Sequence, residues 1–251
     1  TPIRKTVTLF SQENEQRKGK VNQVTVYSGE SGPELTKTIN TWSLGVWTIG
    51  SSTTEHNYPQ LDVVEEYLEG QRVVQRHLYY ETWLQGGQNG RQFGNVTKIE
   101  ERAAAGNGWA TDPLRTSYTW YYPNFSVWNS PPPSDAAFIV NKPGKMEQFN
   151  ACDGCTDGRR DSQTTYFYDG ASSYDMPPTQ GLLTKQEAET LVARVEYDPI
   201  NSNVLKQIDG KGNSTQFYYD SQFAAFPVCV VNDSGHTTMS RFYGVAGSSD
   251  A

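Results

Sequence analysis

Cys152 and Cys155, separated by Asp153-Gly154, form the sharpest local motif in this chain of 251 residues. Two thiols at that spacing could hold a soft metal ion or close a small loop as a disulfide. A structural zinc site needs four ligands, and the chain adds to this pair only Cys229 and three histidines, His56, His77 and His236, with no second C-x-x-C. The expectation is a loop disulfide or two unpaired thiols in a tight turn, with Cys229 a small core residue on a strand.

The other candidates are weaker. Asp153, Asp157 and Asp161 recur at a regular interval around Gly154 and Gly158, but the alternate oxygen ligands and closing Glu of a calcium loop are missing. Arg159 and Arg160 sit among these carboxylates, so a solvated charged loop is expected. Ser28-Gly29-Glu30-Ser31-Gly32 is a polar loop rather than a nucleophile elbow. Gly86-Gly87-Gln88-Asn89-Gly90 lacks the Lys-Ser/Thr of a phosphate loop. The adjacent pairs Glu65-Glu66 and Glu100-Glu101 would point to opposite faces of a strand and cannot act on one substrate atom. Sequons at Asn95, Asn124, Asn213 and Asn232 are read as coincidental, since two fall in turns where backbone geometry already favours Asn. No catalytic, cofactor or metal residue is expected, and the chain is not expected to be an enzyme. A thiol or metal-dependent enzyme centred on residues 152–161 is the weakest reading carried forward.

The elements available to position side chains are strands. Residues 195–220 read VEYDPINSNVLKQIDGKGNSTQFYYD and open and close on Tyr-Asp pairs, Tyr197-Asp198 and Tyr219-Asp220. Val204, Lys206 and Ile208 fall on one face of an extended strand, Leu205 and Gln207 on the other. Asp209-Gly210-Lys211-Gly212-Asn213 tolerates positive φ and turns the chain back. On the return strand Thr215, Phe217 and Tyr219 share a side, an aromatic row that sheets favour. The unit is a β-hairpin, and its register recurs. The interval from Gly181 to Tyr197 equals that from Asn203 to Tyr219, and Phe242-Tyr243 closes a further strand at nearly the spacing that parts Tyr197 from Tyr219. Between those last points, Asn232-Asp233-Ser234-Gly235-His236 repeats the turn, and His236 is read as stabilising it. Lys185-Gln186-Glu187-Ala188-Glu189 would favour a helix on propensity alone; the repeat register predicts a strand. Fainter echoes lie at residues 164–170, 116–122 and 94–99. Fixed-period self-similarity of this kind specifies a repeat architecture.

The constellation Tyr197, Asp198, Asn203, Val204, Asp209, Gly212, Asn213, Tyr219 and Asp220, with Asp233 and Gly235 in the variant turn, resembles the Rhs or YD-repeat family. That family includes the shells of bacterial toxin-complex B and C components and the extracellular barrel of teneurins. The likeness is strongest over residues 166–243, and Gly19-Lys20-Val21 through Tyr27 resembles the strand that opens such shells. The resemblance implies an all-β fold of antiparallel hairpin repeats winding into a large curved sheet or shell, part of a wall around a C-terminal toxin or effector. The implied partners are the remainder of its own longer polypeptide, the enclosed toxin or effector, and other toxin-complex subunits, in a secreted or extracellular setting. Self-cleaving members carry an Asp-Pro-x-Gly type motif; Asp112-Pro113-Leu114-Arg115 and Asp198-Pro199-Ile200-Asn201 lack its glycine. The teneurin likeness supplies the alternative, an extracellular adhesion or glycan-binding module using Trp42, Trp47, Trp109 and Trp128.

Composition agrees with broad sheets. Hydrophobic residues make up 35% and aromatics 12%, with 15 Tyr and 6 Trp, a mix suited to large amphipathic side chains rather than Leu-rich helices. A net charge of -7 disfavours nucleic acid, whose phosphates need clustered Lys and Arg. No apolar run approaches the roughly 20 residues of a membrane helix. The first residue, Thr1, and the want of a leader are read as marks of a piece cut from a longer protein. Three regions are expected: 1–129, degenerate β-repeats with strands near 6–10, 24–27 and 73–83; 130–163, Pro-rich and Cys/Asp-containing loops with a short strand; and 164–251, clear Tyr-Asp repeats. Ala103-Ala104-Ala105-Gly106-Asn107-Gly108 is expected as a loop, and Ser130-Pro131-Pro132-Pro133-Ser134 as the best internal break.

Overall fold

The computed structural model describes residues 4–13, 15–48, 55–80, 94–121, 139, 141–150, 160–176 and 178–244. Among them there is no helix. Sixteen strands follow one another: β1 Arg4–Phe10, β2 Val21–Ser28, β3 Glu34–Thr48, β4 Glu55–Leu68, β5 Gln71–Tyr80, β6 Val96–Ala105, β7 Gly108–Trp109, β8 Arg115–Tyr121, β9 Pro143–Asn150, β10 Arg160–Tyr168, β11 Leu183–Ala188, β12 Leu191–Tyr197, β13 Val204–Ile208, β14 Ser214–Tyr219, β15 Pro227–Asn232 and β16 Thr237–Met239. The chain divides into two compact units, residues 1–121 with 146–161, and residues 122–145 with 162–251.

In the first unit each strand pairs antiparallel with its predecessor from β1 to β6, β8 then pairs with β6, and β7 folds back on β6. β3 and β4 are the long pair, 15 and 14 residues. β4 turns into β5 through Glu69-Gly70, both at positive φ (50° and 77°), the geometry that matches strand twist in a tight hairpin.

In the second unit β10 to β16 also pair antiparallel in chain order. Alternation fixes which face each residue takes: in β13 Val204, Lys206 and Ile208 are half-buried while Leu205 and Gln207 are exposed, and in β14 Phe217 and Tyr219 are half-buried while Gln216 and Tyr218 are exposed. Lys185-Gln186-Glu187-Ala188 lies in β11; cross-strand pairing with β10 and β12 overrides its helix propensity. Among the described residues the buried aromatic side chains are Phe149, Phe167 and Tyr168.

Two expectations are corrected. Ala103–Ala105 is not loop but the end of β6: Ala103 pairs with Val74, Ala104 with Trp109 and Ala105 with Gly108. Gly106-Asn107 alone turns the chain, and ladder pairing on both edges outweighs alanine's poor strand preference. The last strand does not reach Phe242-Tyr243. β16 stops at Met239 and is exposed throughout, because among the described residues only β15 pairs with it. The Cys152-x-x-Cys155 motif, the Pro131 to Pro133 break, the Gly86 to Gly90 run and Trp128 lie outside the described residues.

Candidate functional site

The side chains with the most regular geometry are the repeat tyrosines. Tyr219, the last residue of β14, donates its hydroxyl to the Val204 carbonyl at 3.1 Å, and Tyr197, the last of β12, donates to Leu183 at 3.0 Å. Tyr168, the last of β10, donates to Pro143 at 3.0 Å. Each acceptor is the first residue of the preceding strand. At every one of these tyrosines the register to the following strand slips: Tyr168 pairs with Leu183, Tyr197 with Val204 and Tyr219 with Pro227. Such a bulge re-aims the side chain. The residue opposite one tyrosine therefore supplies the carbonyl that the next tyrosine binds. Leu183 serves Tyr168 and Tyr197 in this way, and Val204 serves Tyr197 and Tyr219.

The first unit carries the same device with altered residues. Phe10 pairs across a bulge with Val21, whose carbonyl accepts from the Trp42 indole N–H at 2.9 Å. Trp42 pairs across a bulge with Leu61, whose carbonyl accepts from the Tyr80 hydroxyl at 2.8 Å. Tyr80 pairs across a bulge with Val96. Sequence reasoning did not find this series, because Trp replaces Tyr and the interval from Trp42 to Tyr80 far exceeds that from Tyr197 to Tyr219. In each pair a bulged aromatic meets an aliphatic residue, but only Val21 and Val96 open their strands while Leu61 lies within β4, so no local sequence signal marks the Trp42 position.

The aspartates fasten the loops. Asp220 follows Tyr219, is buried, and accepts from the backbone N–H groups of Gln222, Phe223, Ala225 and Phe226 at 2.6–3.0 Å. Burial opposes its ionisation, but the N–H groups of Phe223, Phe226, Ala225 and Gln222 outweigh it and hold the carboxyl at about 2. Asp169, after Tyr168, accepts from the N–H groups of Thr179, Gln180, Gly181 and Leu182 at 2.7–3.1 Å; again burial is overcome and its pKa lies below the usual range. Asp198 accepts from Ile200 and Asn201 at 2.8 and 3.2 Å. The Asn203 amide donates to the Ala224 carbonyl in the Asp220 loop, tying one such loop to the next.

The opposite ends of these hairpins use a tighter turn. Asp209 accepts from the N–H groups of Lys211 and Asn213 at 2.8 and 2.9 Å and from the Asn213 amide at 2.9 Å, and Gly212 supplies φ +92°. In the variant turn Asn232 takes the place of Asp209, accepting from the His236 N–H at 2.8 Å, with Gly235 at φ +78°. Asp233 instead reaches sideways to the Ser214 N–H and hydroxyl, both at 3.3 Å. In an antiparallel sheet successive connections alternate ends, so the Asp169, Asp198 and Asp220 loops share one end of the second unit and the Asp209 and Asn232 turns the other.

A second polar cluster lies in the first unit. Glu100 is buried, accepts from Tyr79 and Arg102 at 2.9 and 2.8 Å, and lies 2.5 Å from Lys98. Burial opposes its charge; Lys98, Arg102 and Tyr79 overcome that and bring it to about 2. Its neighbour Glu101 faces the other side and pairs with Arg76 at 2.7 Å, which also holds Glu66. On β4, Glu65 accepts from Gln75 at 2.7 Å and Trp109 at 2.8 Å. His77 is depressed by burial and by Arg102, against the pull of Glu100 and Glu65.

The remaining candidates take structural positions. Asp161 accepts from Gln148 at 3.0 Å. Cys229 is a half-buried free thiol on β15. Trp42 and Trp109 commit their indole N–H groups to Val21 and Glu65, so those groups are not offered to a glycan. Among the described residues no group of three or more His, Cys, Asp and Glu side chains could hold a metal ion.

No protein-family model matches the chain, and no curated protein matches it. Solved structures do resemble it. A chain in the crystal structure of TcdB2-TccC3-Cdc42 is similar at 11% identity and a TM-score of 0.48, over 89% of this chain and 16% of that one. For TcdB2-TccC3 the values are 9% and 0.38, over 93% and 17%; for TcdB2-TccC3-TEV they are 12% and 0.35, over 92% and 16%. This chain thus spans about a sixth of the length of the chains it resembles.

Proposed function

We propose that this chain is a structural segment of an Rhs-type, YD-repeat shell in a toxin-complex-related protein, and that its sheet forms part of a curved wall enclosing a toxin or effector carried by the same longer polypeptide. The observation that carries the reading is the aromatic series. Each seated aromatic needs a bulge from the strand after it and a carbonyl from the strand before it, so the structure extends only by adding whole two-strand units. That is the growth rule of a repeat sheet. The polar side chains with the best geometry spend their hydrogen bonds on main chain, which serves strand placement rather than chemistry. A wall so built would act by excluding proteases and solvent from its cargo. Its partners would be the rest of its polypeptide, the cargo and other toxin-complex subunits, in a secreted setting; among the described residues no helix is long and apolar enough to cross a membrane.

Limited proteolysis of the longer polypeptide tests the reading. The region after the repeats should resist cleavage while the wall is intact and become sensitive when Tyr219 and Asp220 are both replaced by Ala. Equal sensitivity in both proteins would contradict it.

A further inference from the structure

The two ends of the second unit differ in what they show to solvent. At one end the turns Glu189-Thr190, Asp209–Asn213 and Asp233–His236 contain no large apolar residue. At the other end each of the three aspartate loops exposes at least one: Tyr174 and Met176 after Asp169, Ile200 after Asp198, and Phe223 after Asp220. Ile200 is 93% exposed and Phe223 58%. Tyr, Met and Phe are side chains that interface centres favour. The loops hold them in fixed places, because Asp169 and Asp220 each gather four main-chain N–H groups and Asn203 ties the Asp198 loop to the next. Connections at one end of an antiparallel sheet recur every second strand, about 10 Å apart. The same three loops carry Asp169, Asp175, Asp198 and Asp220 and no Lys or Arg. Lys142, beside Gly181, is turned onto the Tyr168 ring at 6.0 Å.

We infer that this end of the second unit is a docking surface for a cationic amphipathic helix of a partner protein. Residues seven apart on a helix rise about 10.5 Å, close to the interval between the loops, so one apolar stripe meets Met176, Ile200 and Phe223 in turn. Lys and Arg flanking that stripe face the loop carboxylates, and charge complementarity of this kind selects the partner and its orientation. A second copy docked end to end would set carboxylate against carboxylate, and an anionic membrane would meet the same repulsion. Because the aspartates fasten the loops in advance, little ordering cost falls on binding. The surface lies at the end of the strands, so it is available whether or not the faces of the sheet enclose a cargo.

Calorimetric titration and hydrogen exchange on the whole 251-residue chain test it, with a peptide of about three heptads, Leu along one face and Lys elsewhere, as probe. The peptide should bind and gain helix by circular dichroism. At about ten times its Kd, amides of Asn201, Gln222 and Phe223 should exchange about tenfold more slowly. Ile200→Ser with Phe223→Ser should raise Kd about tenfold, and Ile200→Ser alone, at a position open to solvent, should give part of that rise. Leu191→Ser, 51% exposed at the opposite end, should leave Kd unchanged. Equal binding of a peptide with Glu in place of Lys, a Kd indifferent to Ile200→Ser, or an equal loss with Leu191→Ser would overturn the inference. So would self-association in sedimentation that Ile200→Ser relieves, which would make a second copy the occupant, or binding to phosphatidylcholine vesicles through these loops, which would make it a lipid surface.

Discussion

Tyr197 and Tyr219 are joined through a single residue: Val204 pairs with Tyr197 across the β12–β13 bulge and offers its carbonyl to the Tyr219 hydroxyl at 3.1 Å. Their coupling runs through the main chain, and the same link repeats from Tyr168 through Leu183 to Tyr197.

Tyr219→Phe keeps the ring and removes the hydroxyl. The Val204 carbonyl then loses its donor, so stability should fall by about 1 kcal/mol. Tyr197→Phe should cost a similar amount. Because the two hydroxyls bind different carbonyls, Leu183 and Val204, the double variant should cost the sum of the two within about 0.5 kcal/mol, measured by denaturant unfolding.

Trp42→Phe should act in the first unit as Tyr→Phe acts in the second. Loss of the indole N–H to Val21 should cost about 1 kcal/mol and speed exchange at the start of β2 while leaving β13 and β14 unchanged. Exchange rates altered in β13 rather than β2 would contradict the assignment of Trp42 to the series.

Asp169→Ala leaves the N–H groups of Thr179, Gln180, Gly181 and Leu182 without their carboxylate. The expected loss is about 2 kcal/mol, with the loop after β10 losing exchange protection first. Asp220→Asn should destabilise less than Asp220→Ala, since the amide oxygen still accepts.

Acid should unfold the protein through these same carboxylates. Asp220 and Glu100 are each lowered to about 2 from usual values of 3.8 and 4.5. A depressed carboxyl favours the folded state when ionised, so this contribution is complete above about pH 4.5 and is lost as pH falls towards 2. Glu100→Gln should flatten the acid limb and, by removing the carboxylate charge that Lys98 and Arg102 share, cost about 3 kcal/mol near neutral pH. Stability unchanged as pH falls from neutrality towards 2 would contradict the assignment.

The second unit was largely legible in sequence because its code is compact. Tyr, Asp and Gly recur at nearly constant spacing from Tyr197 to Asp220, and the turn at Asp209 to Asn213 falls where Gly212 permits positive φ. The Lys185 to Glu189 segment could be taken as strand against its propensity only because Gly181 and Tyr197 held the register. The first unit was less legible. Trp42 and Tyr80 stand where the later tyrosines stand, but the long β3–β4 hairpin stretches the period beyond recognition, and a bulge leaves no mark on composition. For Glu100 the adjacent pair Glu100-Glu101 correctly implied opposite faces, but nothing local indicates that Lys98, Arg102 and Tyr79 converge on one of them.

As proposed, this sheet forms part of a wall around a cargo. The most direct measurement is a cryo-EM map of the longer polypeptide that contains it. The map should show a closed cavity with these strands in its wall and density for a further protein segment inside. A flat, open sheet with no enclosed volume would contradict it.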